Sequence, residues 1–170
     1  MKLKLGGNGD LVGYADADWA GDKSDRKSNT GFIFQLGTGT ISWTSRKQQC
    51  VTLSSTEEEY VALAEACKEL QWLLKLMADV GEDVKLPVII NEDNQSCISM
   101  LHAENENRRT KHIDTRYNYV RDLNANGTIR VRYCPTDSMV ADALTKPLTR
   151  GKLEKLRAAF GLGFFEFENE

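Results

Sequence analysis

Apolar and polar positions change period several times along this chain, and each change marks an element. Leu11 to Asp18 reads as a strand. Gly31-Phe32-Ile33-Phe34-Gln35-Leu36 and Thr40-Ile41-Ser42-Trp43-Thr44-Ser45 read as a hairpin turned at Gly37-Thr38-Gly39. Ser54 and Ser55 each precede a glutamate three residues on, a capping-box pattern, and helical periodicity then runs to about Val80 before Gly81 stops it. Pro87-Val88-Ile89-Ile90 is a short apolar run suited to a strand buried on both faces, and Asn94 to about Leu101 is helical. A charged helix follows from Thr110 to Asn124, ended by Asn126-Gly127, and Thr128 to Cys134 alternates like a strand. Two last helices are expected around Ser138–Lys146 and Arg150–Phe160.

The order βββ-α-β-α-α-β-α-α predicts an α/β fold. Three antiparallel strands and then two parallel ones form a five-stranded mixed sheet flanked by helices, because parallel strands need helical crossovers. A length of 170 residues suits one domain, with residues 1–10 read as a linker or artificial start and 149–170 as a C-terminal helix and tail. With 41% hydrophobic and 28% charged residues, the composition is that of a globular protein and excludes a disordered chain. The formal net charge of −3 offers nucleic acid no bulk attraction, so any such partner must meet a local basic surface. Cys50, Cys67, Cys97 and Cys134 lack the paired spacing of a zinc or redox site and read as reduced thiols of an intracellular protein. No apolar run approaches the roughly 20 residues that cross a bilayer, and no signal-peptide core opens the chain, so a soluble protein without a membrane partner is expected.

Candidate chemistry lies in carboxylates. Among Glu57, Glu58 and Glu59, helical phase aligns Glu58 with Glu65 and Glu69 on a polar stripe. Glu59 aligns with Leu63, Ala66, Leu70 and Met77 and so faces the sheet. A glutamate among core positions is costly to ionise unless it is paired or holds a metal; a satisfied edge carboxylate is the plainer alternative. Asp93 follows a buried strand at its carboxyl end, where open α/β sheets gather ligands, yet it equally suits a helix N-cap before Asn94-Gln95. Asp16 and Asp18 share one face of the first strand, so alternation cannot choose between them, and a solvated strand end explains either. Asp142, inside Val140-Ala141-Asp142-Ala143-Leu144, suits a surface position as well as a buried functional one. Four carboxylates meeting at one sheet edge would repel by up to about 4 kcal/mol per close pair at an effective dielectric of about 20. Divalent cations would relieve that repulsion, and two of them about 4 Å apart are the usual apparatus of phosphodiester hydrolysis. An all-oxygen donor set suits magnesium.

Four separated blocks closely resemble those of copia-type retrotransposon ribonucleases H, in the same order. They are Gly13-Tyr14-Ala15-Asp16-Ala17-Asp18-Trp19-Ala20-Gly21, Leu53-Ser54-Ser55-Thr56-Glu57-Glu58-Glu59-Tyr60, Lys111-His112-Ile113-Asp114 and Ala141-Asp142-Ala143-Leu144-Thr145-Lys146-Pro147-Leu148. The resemblance runs from about Gly13 to Leu162 and implies a ribonuclease H-like fold. It also implies an endonuclease that hydrolyses the RNA strand of RNA/DNA hybrids during reverse transcription. It makes Asp16, Glu59, Asp93 and Asp142 the catalytic carboxylates and the ligands of two Mg2+, with Mn2+ as a substitute; Asp18 is acidic in the pattern without being a ligand.

The resemblance further implies that Ser54, Ser55, Thr56 and Gln95 grip the RNA strand, where reading 2′-hydroxyls separates RNA from DNA; helix capping is the serines' competing role. Arg108, Arg109, Lys111, Arg116 and Arg121 form a candidate phosphate track, against the reading of a solvated charged face. His112 beside them is a structural or phosphate-contacting residue. The loop Tyr133-Cys134-Pro135-Thr136-Asp137 lacks the histidine that cellular ribonucleases H carry ahead of the last acid, which puts histidine-assisted product release in doubt. Trp19, Trp43 and Trp72 read as packing residues. Expected partners are the hybrid and the reverse transcriptase domain of the same polyprotein, in the cytoplasm within a virus-like particle. Two rival functions stay open: a catalytically weak or inactive nucleic-acid-binding or scaffolding domain of retroelement origin, and another nuclease or integrase on the same fold. The order Asp, Glu, Asp, Asp speaks against an integrase, whose pattern ends in a late glutamate.

Overall fold

A computed structural model describes residues 2–3, 9–18, 27–49, 52, 54–102 and 111–163, with residues 2–3 and 111–114 described by their backbone alone. Its main sheet contains β2 (Leu11–Asp18), β3 (Asn29–Leu36), β4 (Gly39–Lys47), β5 (Val88–Glu92) and β6 (Ile129–Tyr133). Their spatial order is β4-β3-β2-β5-β6. β2, β3 and β4 pair antiparallel, whereas β5 runs parallel to both β2 and β6. This is the five-stranded mixed sheet that the sequence predicts. A second, two-stranded ribbon joins β1 (Lys2–Leu3) to β7 (Leu162–Gly163), pairing part of the segment read as a linker.

α1 (Ser55–Asp79), α2 (Gln95–His102) and α3 (Lys111–Ala125) cover one face of the sheet. Leu63, Ala66 and Leu70 of α1 meet Ala15, Phe32 and Phe34 of the strands there, all buried. Ser54 caps α1, its hydroxyl accepting from the Glu57 N–H at 3.2 Å. α3 stops at Gly127, whose φ of 77° is a conformation L side chains rarely adopt. The opposite face is covered by α4 (Asp142–Thr145), α5 (Arg150–Ala159) and the segment between β6 and α4, with Ile33, Met139, Ala141 and Phe160 in its core.

The helix expected over Ser138–Lys146 is instead a 3₁₀ turn at Thr136–Ser138 and the single turn of α4. Met139 to Ala141 are buried against the sheet, and Lys146 is extended because the following Pro147 disfavours helical backbone there. Two tryptophans also depart from expectation: Trp43 is 57% and Trp72 55% exposed, so neither is a core residue, and Trp19 lies outside the described residues. Trp43 takes the exposed side of an edge strand, and Trp72 lies on the outward flank of α1. Cys67, Cys97 and Cys134 are free and buried, while Cys50 lies outside the described residues. Among the described residues, no helix is long and apolar enough to cross a membrane.

Candidate metal centre

The parallel pairing of β2 with β5 ends at Tyr14–Asn91. Two residues further along each chain stand Asp16 and Asp93, so both acids emerge at the same end of neighbouring strands. Glu59 reaches this point from the second turn of α1, and its helical phase keeps it among buried neighbours. Carboxylate oxygens of Asp16, Glu59 and Asp93 all lie within 4.8 Å of one another. Alternation left Asp16 and Asp18 equivalent; only Asp16 is fully buried and belongs to this group, whereas Asp18 is half-buried at the strand end. The N-cap reading of Asp93 fails, because Asn94 caps α2: its Oδ1 accepts from the Cys97 N–H at 3.0 Å.

Asp142 is also fully buried, at the start of α4, but falls outside the group of mutually close carboxylates. It adjoins Asp16 through Lys146, whose Nζ lies 3.1 Å from Asp16 Oδ1 and 2.8 Å from Asp142 Oδ1. The other oxygen of Asp142 accepts from Lys152 of α5, and the other oxygen of Asp16 accepts from the Thr145 hydroxyl. The loop without a histidine supplies Thr136, whose hydroxyl donates to Asp93 Oδ2 at 2.7 Å.

Glu92 was missed by the sequence reading. It is fully buried beside Asp93, one oxygen accepting from the Asn94 N–H at 3.0 Å and the other unpartnered among the described residues. Its signal was available, since strand alternation puts it in phase with the buried Val88 and Ile90. Lys146 and Lys152 were missed too. Lys146 stands four residues after Asp142, a spacing that signals an ion pair on a helix, but nothing local announces its reach to Asp16.

Glu58 corrects the helical-phase reading in part. It is only 2% exposed and does not face water: Ser28 hydrogen-bonds its carboxyl, Asp18 and Asp16 lie close by, and Gln48 Nε2 donates to its carbonyl at 3.0 Å. Further along the same stripe, Ser42 of β4 donates to Glu69 at 2.6 Å and Arg46 pairs with Glu65.

The electrostatics describe a site short of positive charge. Burial, then the charges of Glu92, Asp16 and Asp93, push the Glu59 carboxyl up to about 11. Burial pushes Asp16 up to about 7 against the pull of Lys146 and Thr145, and raises Glu92 well above the usual range. Burial would lower Lys146, but Asp16 and Asp142 outweigh it and hold the ammonium above the ordinary lysine range. Among the described residues, Glu59 and Glu92 each keep a buried oxygen without a hydrogen-bond partner. Three close carboxylates, with an orphaned oxygen on Glu59, fit a hard divalent cation by donor type and by charge.

The candidate substrate contacts surround the acids unevenly. Ser55 and Gln95 are exposed, and Ser54 and Thr56 half-exposed, at the first turns of α1 and α2, next to Glu59 and Asp93. Arg108 and Arg109 lie outside the described residues, and Lys111 and His112 begin α3 with only their backbone described. Arg116 lines a hollow with Arg46, Lys47, Lys68 and Glu65, basic on balance although Arg46 and Lys68 both pair with Glu65, while Arg121 stacks over the Tyr117 ring at 5.3 Å from its centroid.

No protein-family model matches the chain. Over 152 residues it is 40% identical to the retrovirus-related Pol polyprotein from transposon TNT 1-94 of Nicotiana tabacum, a match covering 89% of this chain and 11% of that polyprotein. It is 38% identical over 160 residues to the corresponding polyprotein from transposon RE1 of Arabidopsis thaliana, covering 94% of this chain and 11% of that one. The chain thus spans about a tenth of these relatives. Among solved structures it resembles LC11-RNase H1 isolated from compost, with a TM-score of 0.60 at 15% identity over 80% of this chain and 92% of that one. The same enzyme in complex with RNA/DNA hybrid matches with a TM-score of 0.57 at 14% identity, over 79% of this chain and 93% of that one.

Proposed function

We propose that this chain, which is 40% and 38% identical to a stretch of two retrovirus-related Pol polyproteins from transposons and has the ribonuclease H fold, is the ribonuclease H of such a polyprotein, an endonuclease that cuts the RNA strand of RNA/DNA hybrids. The observation that carries the reading is that carboxylate oxygens of Asp16, Glu59 and Asp93, brought from separate parts of the chain, lie within 4.8 Å of one another, while Glu59 and Asp93 have no ion pair among the described residues.

Asp16, Glu59 and Asp93 would hold divalent cations, Mg2+ by donor type, with Asp142 completing the set for a second one. Such ions would supply an activated water and a sink for charge on the leaving oxygen. The protein's own groups position these acids: Thr136 holds Asp93 from the loop, and Thr145 holds Asp16 from α4. Ser54, Ser55, Thr56 and Gln95 flank the acids and are the groups proposed to read RNA 2′-hydroxyls. Arg116 and the basic hollow beside it would take phosphates, together with Arg108, Lys111 and His112. The reverse transcriptase of the same polyprotein is the proposed partner, within an intracellular particle.

The test is cleavage of an end-labelled hybrid in Mg2+ by Glu59→Gln and Asp93→Asn proteins. Both are expected to abolish cutting while leaving the circular dichroism spectrum unchanged. Cutting at the unsubstituted rate would refute the assignment.

A further inference from the structure

The described acids divide by what answers them. Glu59 and Asp93 have no ion pair among the described residues, whereas Asp142 has an ammonium on each oxygen, Lys146 on Oδ1 and Lys152 on Oδ2. Asp16 belongs to both halves: it stands with Glu59 and Asp93, and it also binds Lys146. Lys146 is about one-third exposed and reaches in from α4, so its long side chain can turn out to water, whereas the buried aspartates cannot follow it.

We propose that Lys146 is a positioning residue, a built-in cation that holds Asp16 and Asp142 together and closes the half of the centre that depends on Asp142 until the other half is loaded. The inference rests on the metal-centre reading above. A divalent cation at Asp16, Glu59 and Asp93 would neutralise the acid that Lys146 shares and repel its ammonium. Lys146 then swings out and Asp142 turns Oδ1 to a second cation. Two consequences follow from the geometry. Loading is ordered, and the second position is the weaker because an ammonium must leave it. Lys152 stays on Oδ2 and keeps Asp142 pointed inward, its Nζ also donating to the Thr136 carbonyl at 3.2 Å.

The experiment titrates the full chain, stripped of metal, with Mn2+ alone, reading free Mn2+ by electron paramagnetic resonance, and records thermal melts in chelator and in saturating Mn2+. The unsubstituted protein is expected to show one tight site and a second at least about tenfold weaker. In Lys146→Met the second site tightens by about tenfold and the first changes little. That variant melts lower than the unsubstituted protein in chelator, and the difference closes in Mn2+. Lys146→Arg, which keeps the charge, retains the weak second site. If Lys146→Met has no cooperative melt in chelator, Lys146→Gln, which keeps a hydrogen-bond donor without the charge, carries the same expectations. An unchanged ratio of the two affinities, or a melting deficit that is equal with and without Mn2+, overturns the role of Lys146 alone. Failure of the unsubstituted protein to bind Mn2+ overturns the metal centre itself, and this inference with it.

Discussion

Glu58 is buried with one oxygen unpartnered among the described residues, and burial, with Ser28 donating against it and Asp18 and Asp16 adding to it, pushes its carboxyl up to about 7. A carboxyl that is harder to ionise when folded than when unfolded lowers stability wherever it is charged. The cost is full above about pH 7 and fades as pH falls through that value toward the ordinary glutamate range. Glu58→Gln is therefore expected to raise the melting temperature of metal-free protein by a few degrees at pH 8, with a smaller gain at pH 5. Thermal melts at the two pH values check it, and an equal gain at both would contradict the burial argument. Single residues also mark where the sequence stopped being legible. Helical phase separated Glu59 from its neighbours, since its own turn of α1 determines which side it takes. The same rule put Glu58 on the polar stripe, because phase cannot see that Ser28, Asp18 and Asp16 lie close to its carboxyl and that Gln48 Nε2 reaches its carbonyl at 3.0 Å. Asp16 could be told from Asp18 only once α1 and β5 were in place around it.

At the scale of elements, the position of α4 decides whether the fourth acid belongs to the site. Gly31 of β3 pairs opposite Asp16, and a Cβ there would lie 2.7 Å from Thr145 Cγ2 and 2.9 Å from Leu144 Cβ. Gly31→Ala is expected to push α4 outward, carrying Asp142 and Lys146 with it. Overpacking of this kind costs about 1–3 kcal/mol, measurable by urea denaturation, and hybrid cleavage should fall more steeply than stability alone would explain. Unchanged stability would show that α4 is free to shift. Ser54→Ala removes the α1 cap and is expected to cost about 1 kcal/mol in the same assay; no loss would mean the cap hydrogen bond is dispensable. Strands and long helices were legible because their periods run for many residues. The Ser138–Lys146 segment was not, since Val140 and Ala141 look helical in sequence while tertiary burial and Pro147 leave room for only one turn. The β1–β7 ribbon is two residues long on each side, too short to carry a period.

For the molecule as a whole, a net charge of −3 and a sheet edge crowded with acids are at odds with binding a polyanion only if charge is averaged. The acids cluster where β2 and β5 end, and Arg46, Lys47, Lys68 and Arg116 gather in a separate hollow between β4, α1 and α3. Segregation of this kind lets basic groups hold phosphates while the acids hold cations, and it predicts that hybrid binding weakens steadily as salt rises. A binding curve indifferent to salt would remove the hollow from the interface. Composition hid this arrangement, since it reports the sum of charges and not their placement. The most direct measurement is one gel of the unsubstituted protein with labelled RNA/DNA hybrid, duplex RNA and duplex DNA, each with and without Mg2+. Cutting confined to the RNA strand of the hybrid, and only with Mg2+, is the predicted result; an intact hybrid, or cutting that ignores the metal or the kind of duplex, would contradict it.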